Sequence, residues 1–414
     1  MTESWTLSVG IDCGSQSHQV CVMDRTGVVI GERRIEHSGS DLEALATWLL
    51  TLGETDPMRI LIAIEVPRGA VVETLLERGF RIYAINPKQS DRFRERYSAA
   101  GSKDDRRDAR VLASAVQSPT DRAAFRAVQP DAATIIQLRA LSRLDAELGE
   151  ELTRTTNRLR DQLQRYYPQV LQLCPAADEP WLWTLLAQAA TPQQGAQQRM
   201  AHLERLLKQA RIRRFTATEL HAALTATPLH VAPGTVEAAS HYVRVLLPRL
   251  QLLYTQRKDL AKQLTTLLEA IATEPAGDGR EHHDVTILLS LPGVGVRIGA
   301  TMLAEASQPL HARDYHAIRT LAGLAPVTKA SGKRRFVTMR YACNARLRAA
   351  CYHWARTAMQ TDVAARRHYT ILRQAGHSHA RALRGVADRL LAVCIGMLNT
   401  GTLYDRQRRR GLAA

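Results

Sequence analysis

The chain has 414 residues, 45% of them hydrophobic, and a net charge of +16. That length admits two or three domains with sizeable cores. The cationic excess calls for a polyanionic partner. With no uncharged run of membrane-spanning length and no secretory signal ahead of the first strand, nucleic acid is expected and a membrane is not.

Leu7, Val9 and Ile11 alternate with small or polar residues, which predicts a strand ending on Asp12. A polar link leads to a second strand, Gln19 to Met23. The turn Asp24-Arg25-Thr26-Gly27 leads to a third, Val28 to Arg33, completing an antiparallel meander. Ser40, with Glu43 in capping-box position, is expected to start a helix through Leu52. The apolar run Arg59 to Glu65 is expected as a buried strand ending on Glu65. A helix from Ala70 to Arg78 stops at Gly79, and a strand from Arg81 to Ile85 closes at Asn86-Pro87. After a polar segment, Lys103 to Val116 is expected as a helix, with Asp105 and Asp108 on one face. Asp104 competes for the same role.

Three strands followed by alternating helices and strands match the ribonuclease-H-like architecture. Acids at strand ends and on a later helix suit its chemistry. Carboxylates are hard oxygen ligands, able to hold two Mg²⁺ (or Mn²⁺) ions about 4 Å apart on a scissile phosphate. Asp12, Glu65, Asp105 and Asp108 are the candidate metal ligands. Each, taken alone, reads first as a surface or helix-terminus charge; the four in this order, at strand ends, favour the metal site.

Beyond Pro130 the chain turns helical. Leu138, Leu141, Leu148, Leu152, Leu159 and Tyr166 fall on one narrow stripe, interrupted by neither Gly nor Pro except Gly149. A second long helix is expected from Thr235 to Thr273. Its leucines follow steps of three and four, apart from Arg257 at one seam position, as in a coiled coil. The two helices are expected to pair with each other or with a second subunit, as a dimer or tetramer; a plain amphipathic bundle fits as well. Residues 169–234 between them are Gln- and Ala-rich and carry no motif.

The charge is concentrated at the far end. Residues 1–128 hold 17 Lys and Arg against 18 Asp and Glu, residues 129–275 hold 17 against 14, and residues 276–414 hold 22 against 8. The last third thus carries +14, the footprint of a polyanion-binding module. After a linker at Pro275 to Gly279, Leu291-Pro292-Gly293-Val294-Gly295 followed by a helix fits a helix-hairpin-helix. There Gly293, Gly295 and Arg297 would let backbone N–H groups approach a phosphate. An ordinary glycine turn is the plainer alternative. Ser331 follows, beside Gly332 and the cations Lys333, Arg334 and Arg335, with Arg340, Arg346 and Arg348 beyond. No Asp or Glu lies between Asp314 and Asp362. A hydroxyl in such a stretch suits attack on a phosphodiester, or simple contact with one from a solvated basic loop. Helices are expected from Ala345 to Met359 and from Ala380 to Leu398. The six cysteines lack zinc or disulfide spacing and read as reduced thiols of a cytosolic protein.

The expected fold is α/β plus all-α in three parts: residues 1–128, a ribonuclease-H-like metal-binding domain; 129–275, a helical coiled-coil region with an insertion at 169–234; and 276–404, a C-terminal helical domain with a helix-hairpin-helix. A basic tail at 405–414 follows.

With these pieces assembled, the chain resembles the DEDD-type transposases of insertion-sequence family 110, bridge-RNA-guided DNA recombinases with a RuvC-like domain. The resemblance rests on G-I-D-C-G-S-Q-S-H around Asp12, I-E-V-P at Ile64 to Pro67, Asn86-Pro87 and K-D-D-R-R-D-A at Lys103 to Ala109. It extends to N-R-L-R at Asn157 to Arg160 in the helical region. L-P-G-V-G, A-G-L-A-P at Ala322 to Pro326, and Ser331-Gly332-Lys333 complete it. It implies that Asp12, Glu65, Asp105 and Asp108 are the family's four acids and Ser331 its nucleophile, in a site composed across domains or subunits. It further implies donor and target DNA and a guide RNA as partners, and a bacterial, cytoplasmic, nucleoid-associated protein. The family usually has Thr where Asp104 stands and Gly-Asn where Cys343-Asn344 stands.

Three other readings compete. A metal-only nuclease or junction resolvase would leave Ser331 structural. A sugar-kinase-like phosphotransferase would need a second D-x-G step, which the sequence lacks. A non-catalytic nucleic-acid-binding protein would need none of the acids.

Overall fold

The computed structural model describes residues 5–97, 104–273, 282–331 and 334–405, and only the backbone of Arg96, Tyr97, Lys329 and Arg335. It divides into two compact units, Met1–Asp131 and Ala132–Ala414.

The first unit is a six-stranded sheet in the order β3-β2-β1-β4-β5-β6. β1 (Leu7–Cys13), β2 (Ser17–Met23) and β3 (Val29–Glu36) form the antiparallel meander. β4 (Ile60–Ile64) and β5 (Arg81–Ala84) extend it in parallel from β1. A short antiparallel β6 (Arg126–Val128), not anticipated from the sequence, closes the edge beside β5. This mixed sheet is consistent with the expected ribonuclease-H-like architecture.

Side chains alternate across a strand, and the two faces of this sheet differ accordingly. Leu7, Val9, Ile11, Ile60, Ile62 and Ile64 pack beneath α1 (Gly39–Thr51) and α2 (Ala70–Glu77). α3 (Pro87–Tyr97) occupies what the sequence presented as a plain polar segment. On the opposite face, small residues of β1 admit α4 (Asp105–Gln117), followed by the single turn α5 (Pro119–Arg122). A Cβ on Gly10 would sit 1.9 Å from the Ala109 carbonyl oxygen, so only glycine lets the helix come this close. Gln117 completes the docking, with its Nε2 donating to Ser8 Oγ at 2.9 Å. The α1 cap is Ser38 rather than Ser40: its hydroxyl accepts the Asp41 N–H, while Ser40 only bonds to that same hydroxyl.

The second unit is built on two long helices, α6 (Ala133–Tyr166) and, after α7 (Pro180–Gln188), α8 (Pro192–Ala196), α9 (Met200–Gln209) and α10 (Ala217–Thr225), α11 (Thr235–Thr273). α6 and α11 pack along each other. Residues 169–234 are not idle: Trp181, Trp183, Leu203, Leu220 and Leu224 join Tyr166, Val243 and Leu247 in one apolar cluster at that end of the pair.

At the other end, Leu138, Leu264, Leu268 and Ile271 merge with the core of the C-terminal helices. These are α12 (Asp284–Ser290), α13 (Val296–Glu305), α14 (Ser307–His311), α15 (Tyr315–Leu321), α16 (Ala345–Thr361), α17 (Val363–Gln374) and α18 (His379–Thr400). A two-stranded hairpin, β7 (Val327–Ser331) and β8 (Arg334–Thr338), stands between α15 and α16. The linker at Pro275 to Gly279 and the basic tail from Arg406 lie outside the described residues. No described helix is long and apolar enough to cross a membrane.

Candidate active site

The acids come together in stages. β1 and β4 run parallel with Ile11 opposite Ile64, so Asp12 and Glu65 sit at the same end of neighbouring central strands. Alternation puts Asp12 on the face of Gly10, and continues from Leu61 and Ala63 to Glu65 on that same face. This is the face α4 covers. Its first turn carries Asp105 and Asp108, where carboxylates are stabilised by the helix dipole.

Asp104 is the N-cap of α4, its Oδ1 accepting the Arg106 N–H at 3.2 Å. Asp12, Asp104 and Asp105 line one open cleft of about 570 Å³, together with Gln19, Glu32 and Arg106.

Glu65 and Asp108 are joined by a residue that the sequence did not single out. Arg94 of α3 donates Nε to Asp108 Oδ1 at 2.7 Å and Nη2 to Glu65 Oε1 at 2.9 Å, while its Nη1 reaches Asp91 at 2.5 Å. Burial disfavours the charged guanidinium, but the facing charges of Asp108 and Glu65 outweigh it and raise the Arg94 pKa above its ordinary value. Asp108 is 3% exposed, and its second oxygen, Oδ2, is buried with no hydrogen-bond partner among the described residues. A buried carboxylate oxygen without a donor costs free energy unless a cation or donor meets it. The all-oxygen donor set suits a hard divalent cation. No three of the four acids bring their oxygens within 4.8 Å of one another; among the described residues only Cys174, Asp178 and Glu179 do so, and Glu179 there is paired with Arg214. Cys13, beside Asp12, is no rival nucleophile: burial and the Asp12 charge push its thiol up to about 12.

The second unit holds the serine and the basic residues. Ser331 ends β7, paired across the hairpin with Arg334, and both are exposed. No hydrogen bond of the Ser331 hydroxyl is found among the described residues. Lys333 lies outside the described residues, as does the side chain of Arg335.

The turn Leu291–Gly295 joins α12 to α13. Gly293 has φ +81°, and a Cβ there would sit 2.6 Å from the Ala358 nitrogen, so this glycine serves the packing of the turn on α16. Trp354 reinforces that contact, its Nε1 donating to the Pro292 carbonyl at 3.0 Å. Gly295, by contrast, caps α13, and no atom of the described residues lies within 4 Å of where its Cβ would be.

The other basic candidates are partly engaged. Arg297 donates to Asp145 at 2.9 Å, Arg346 to Glu147 at 3.1 Å, Arg340 to the Ala325 carbonyl at 3.4 Å and Arg348 to Cys343 Sγ at 3.6 Å. Asn344 caps α16 and also donates to Glu305 at 2.7 Å. The left-handed Gly323 of the A-G-L-A-P stretch sits against Cys343, so close that a Cβ would be 2.8 Å from its Sγ.

Comparison with known proteins gives two family matches. A transposase model of the DEDD type of IS110 matches residues 9–168, and one for the transposase IS116/IS110/IS902 family matches residues 285–370. A Streptomyces coelicolor protein named as the mini-circle transposase for IS117 is 32% identical over 414 residues, covering 98% of this chain and 97% of that protein. The Sinorhizobium fredii protein y4uE, also named as a transposase, is 46% identical over 218 residues, spanning 52% of this chain and 60% of its own length. The 43.6 kDa protein of insertion element IS110 from S. coelicolor is 27% identical over 421 residues, 99% of this chain and 98% of that one. A DEDD family of this kind implies the use of a divalent metal.

Proposed function

The chain belongs to the IS110 family of DNA transposases, and from that premise we propose that it cuts and rejoins DNA through a phosphoserine intermediate at Ser331, assisted by metal that the carboxylates hold. The observation that supports the metal part is the buried Oδ2 of Asp108, without a donor among the described residues, on the face and at the strand end that Asp12 and Glu65 share. Asp12, Glu65, Asp105 and Asp108 would hold Mg²⁺ or Mn²⁺. When bound, the cations would neutralise the scissile phosphate and stabilise charge developing on the leaving oxygen.

In this reading the Ser331 Oγ attacks phosphorus, and its proton passes to solvent. The Oγ–P bond forms as the bond to the 3′ oxygen breaks, leaving a 5′-phosphoserine and a free 3′ hydroxyl. A 3′ hydroxyl of the second DNA reverses the step and releases the serine, so no external energy source is needed. Serine is weakly nucleophilic without a base, a metal or strong cationic stabilisation. Arg334, with Lys333 and Arg335, supplies cationic charge to the transferring phosphate. The α12–α13 turn acts as a helix-hairpin-helix, with Gly295 leaving the α13 N-terminus open to a backbone phosphate. Arg340, Arg346 and Arg348 add to the basic surface. The helices α6 and α11 serve as a coiled coil through which copies of the chain assemble. A structured non-coding RNA selects the two DNA partners by base pairing, and the protein works in the bacterial cytoplasm on the nucleoid.

A second reading, a metal-dependent nuclease or junction resolvase without serine chemistry, is favoured by one observation: the Ser331 hydroxyl has no base bonded to it among the described residues. Covalent capture decides between them. Wild-type protein on nicked, labelled DNA should give an adduct on a denaturing gel that maps to Ser331, and Ser331→Ala should lose cleavage while still binding DNA. Normal cleavage by Ser331→Ala, or an adduct on another residue, would hand the reading to the nuclease.

A further inference from the structure

The leucine stripe that α11 turns toward α6 is interrupted at Arg257. Facing it on α6 are Asp145, 5% exposed, and Gly149, the one glycine of that helix. Arg257 donates Nε and Nη2 to the two Asp145 oxygens at 3.2 Å each. A Cβ at position 149 would lie 3.1 Å from the Arg257 guanidinium carbon, so the glycine makes room for the group. Burying such a pair where leucines would fit costs desolvation, so it needs a reason beyond stability.

A second guanidinium joins it. Arg297, in the first turn of α13, donates Nε to Asp145 Oδ2 at 2.9 Å and Nη2 to the Arg257 carbonyl at 3.3 Å. One buried carboxylate thus faces two permanent cations. A seam ion pair that only fixed helix register would need Arg257 and Asp145 alone. Arg257 and Arg297, with the exposed Lys258, line an open cavity of about 550 Å³, whose wall also carries Asn157, Thr153 and the acid Asp178. Counting Asp145, three cations face two carboxylates, and the site keeps a positive balance. The volume falls within the range of about 300–1,000 Å³ that small-molecule sites occupy.

We propose that this cavity is a socket for a phosphodiester of a nucleic-acid backbone, built on α6 and α11 and sharing Arg297 with the α12–α13 element. Arg257, Arg297 and Lys258 hold the phosphate, Asn157 and Thr153 offer further donors, and Asp145 is a positioning residue that fixes the two guanidinium planes. Arginine in pairs suits planar, bidentate recognition of phosphate oxygens, and lysine adds a point charge. The proposal rests on the transposase reading, since that supplies the polyanion.

The test uses the full chain with a labelled DNA duplex and a labelled RNA hairpin, by fluorescence anisotropy across a salt series. Lys258→Glu changes an exposed residue without touching the Asp145 pairs, and its melting temperature should match wild type. Its affinity should fall about tenfold, and its salt slope should drop by about one, as expected for one phosphate contact. Arg297→Gln should fall in the same direction. Loss toward RNA only, or DNA only, names the source of the phosphate. Lys262→Glu, one turn further along α11 and paired with Asp259, is the control for bulk charge. An equal loss in Lys262→Glu, or unchanged affinity for both probes in Lys258→Glu and Arg297→Gln, overturns the socket. Wild-type protein that binds neither probe would instead bring down the transposase reading itself.

Discussion

Arg94 holds Asp108 with its Nε at 2.7 Å and Glu65 with its Nη2 at 2.9 Å, so one guanidinium spans two of the four acids. In the proposed metal site the same oxygens would serve a divalent cation, so Arg94 would balance the charge of the metal-free site and compete for its ligands. Removing one partner of a buried pair leaves the other charge uncompensated, at a cost of about 3–5 kcal/mol. Metal-free Arg94→Gln should melt several degrees below wild type. Added Mn²⁺ should recover more of that loss than it adds to wild type, because a cation that binds only the folded chain stabilises it by mass action. Thermal melts with and without Mn²⁺ check this. Equal metal responses in the two proteins would show that Arg94 does not share the ligands.

Asp12, Glu65 and Asp108 are legible in the sequence because each stands at the end of a strongly patterned element. Arg94 is not, for a physical reason. α3 is charged along most of its length, and of its described side chains only Phe93 packs against a core cluster. It has no apolar stripe to announce a helix, so nothing marks its phase. Residues 169–234 hide for a different reason. Their helices are five to ten residues long, too short to establish a period, and their order comes from Trp181 and Trp183 packing on the long pair. The Ser331 hairpin consists of two five-residue strands with Phe336 and Val337 exposed, so no buried face sets an alternation. Arg257 was visible as a flaw in the heptad, whereas its grouping with Asp145 and Arg297 was not, since they lie on other helices.

Gly10 is the contact on which the acid geometry depends. A methyl group there would overlap the Ala109 carbonyl at 1.9 Å and the Ala113 nitrogen at 2.5 Å, both of them α4 backbone. No rotamer change relieves that, so α4 must move away from β1 or the unit must unfold. Gly10→Ala should cost at least the upper end of the usual overpacking range of about 1–3 kcal/mol. The urea midpoint of the variant measures it. A midpoint within error of wild type would mean that α4 does not pack on β1 at this distance.

Glu305 is a stability switch with a calculable sign. It is 3% exposed and receives Arg143 at 2.7 and 3.0 Å and Asn344 at 2.7 Å. Burial alone would raise its carboxyl, but Arg143 and Asn344 outweigh burial and hold it below the usual glutamate range. The folded state therefore binds the proton less readily than the unfolded one. Its contribution is complete above the unfolded value, near about 4.3, and is lost as pH falls through the lower folded value. Glu305→Gln should be less stable than wild type at neutral pH by about 1.5–3 kcal/mol, the scale of hydrogen bonds to a charged group. That deficit should narrow on acidification below about pH 4 as wild type loses the same charge. Urea midpoints at neutral and acid pH test it, and a deficit that stays constant would rule the pair out as a pH-dependent term.

Asp104 and Asp105 are adjacent yet differ in their place on α4. Both line the cleft with Asp12, but Asp104 also caps α4 through the Arg106 N–H, whereas Asp105 is the first residue of the helix. Asp104→Ala should cost about 1 kcal/mol of stability, as lost caps usually do. It should retain much of the DNA cleavage activity, because the cap is not among the proposed metal ligands. Asp104→Ser, which keeps a capping oxygen without the full charge, should recover most of that stability. Asp105→Ala leaves the cap intact and should be near wild type in stability, with cleavage strongly reduced and Mn²⁺ binding weakened. Paired measurements on the same preparations, melting temperature and Mn²⁺ affinity with cleavage alongside, separate the two roles. The opposite order, with Asp104→Ala losing metal and Asp105→Ala retaining it, would move the metal register by one residue and place Asp104, with Asp108 four positions on, at the metal instead.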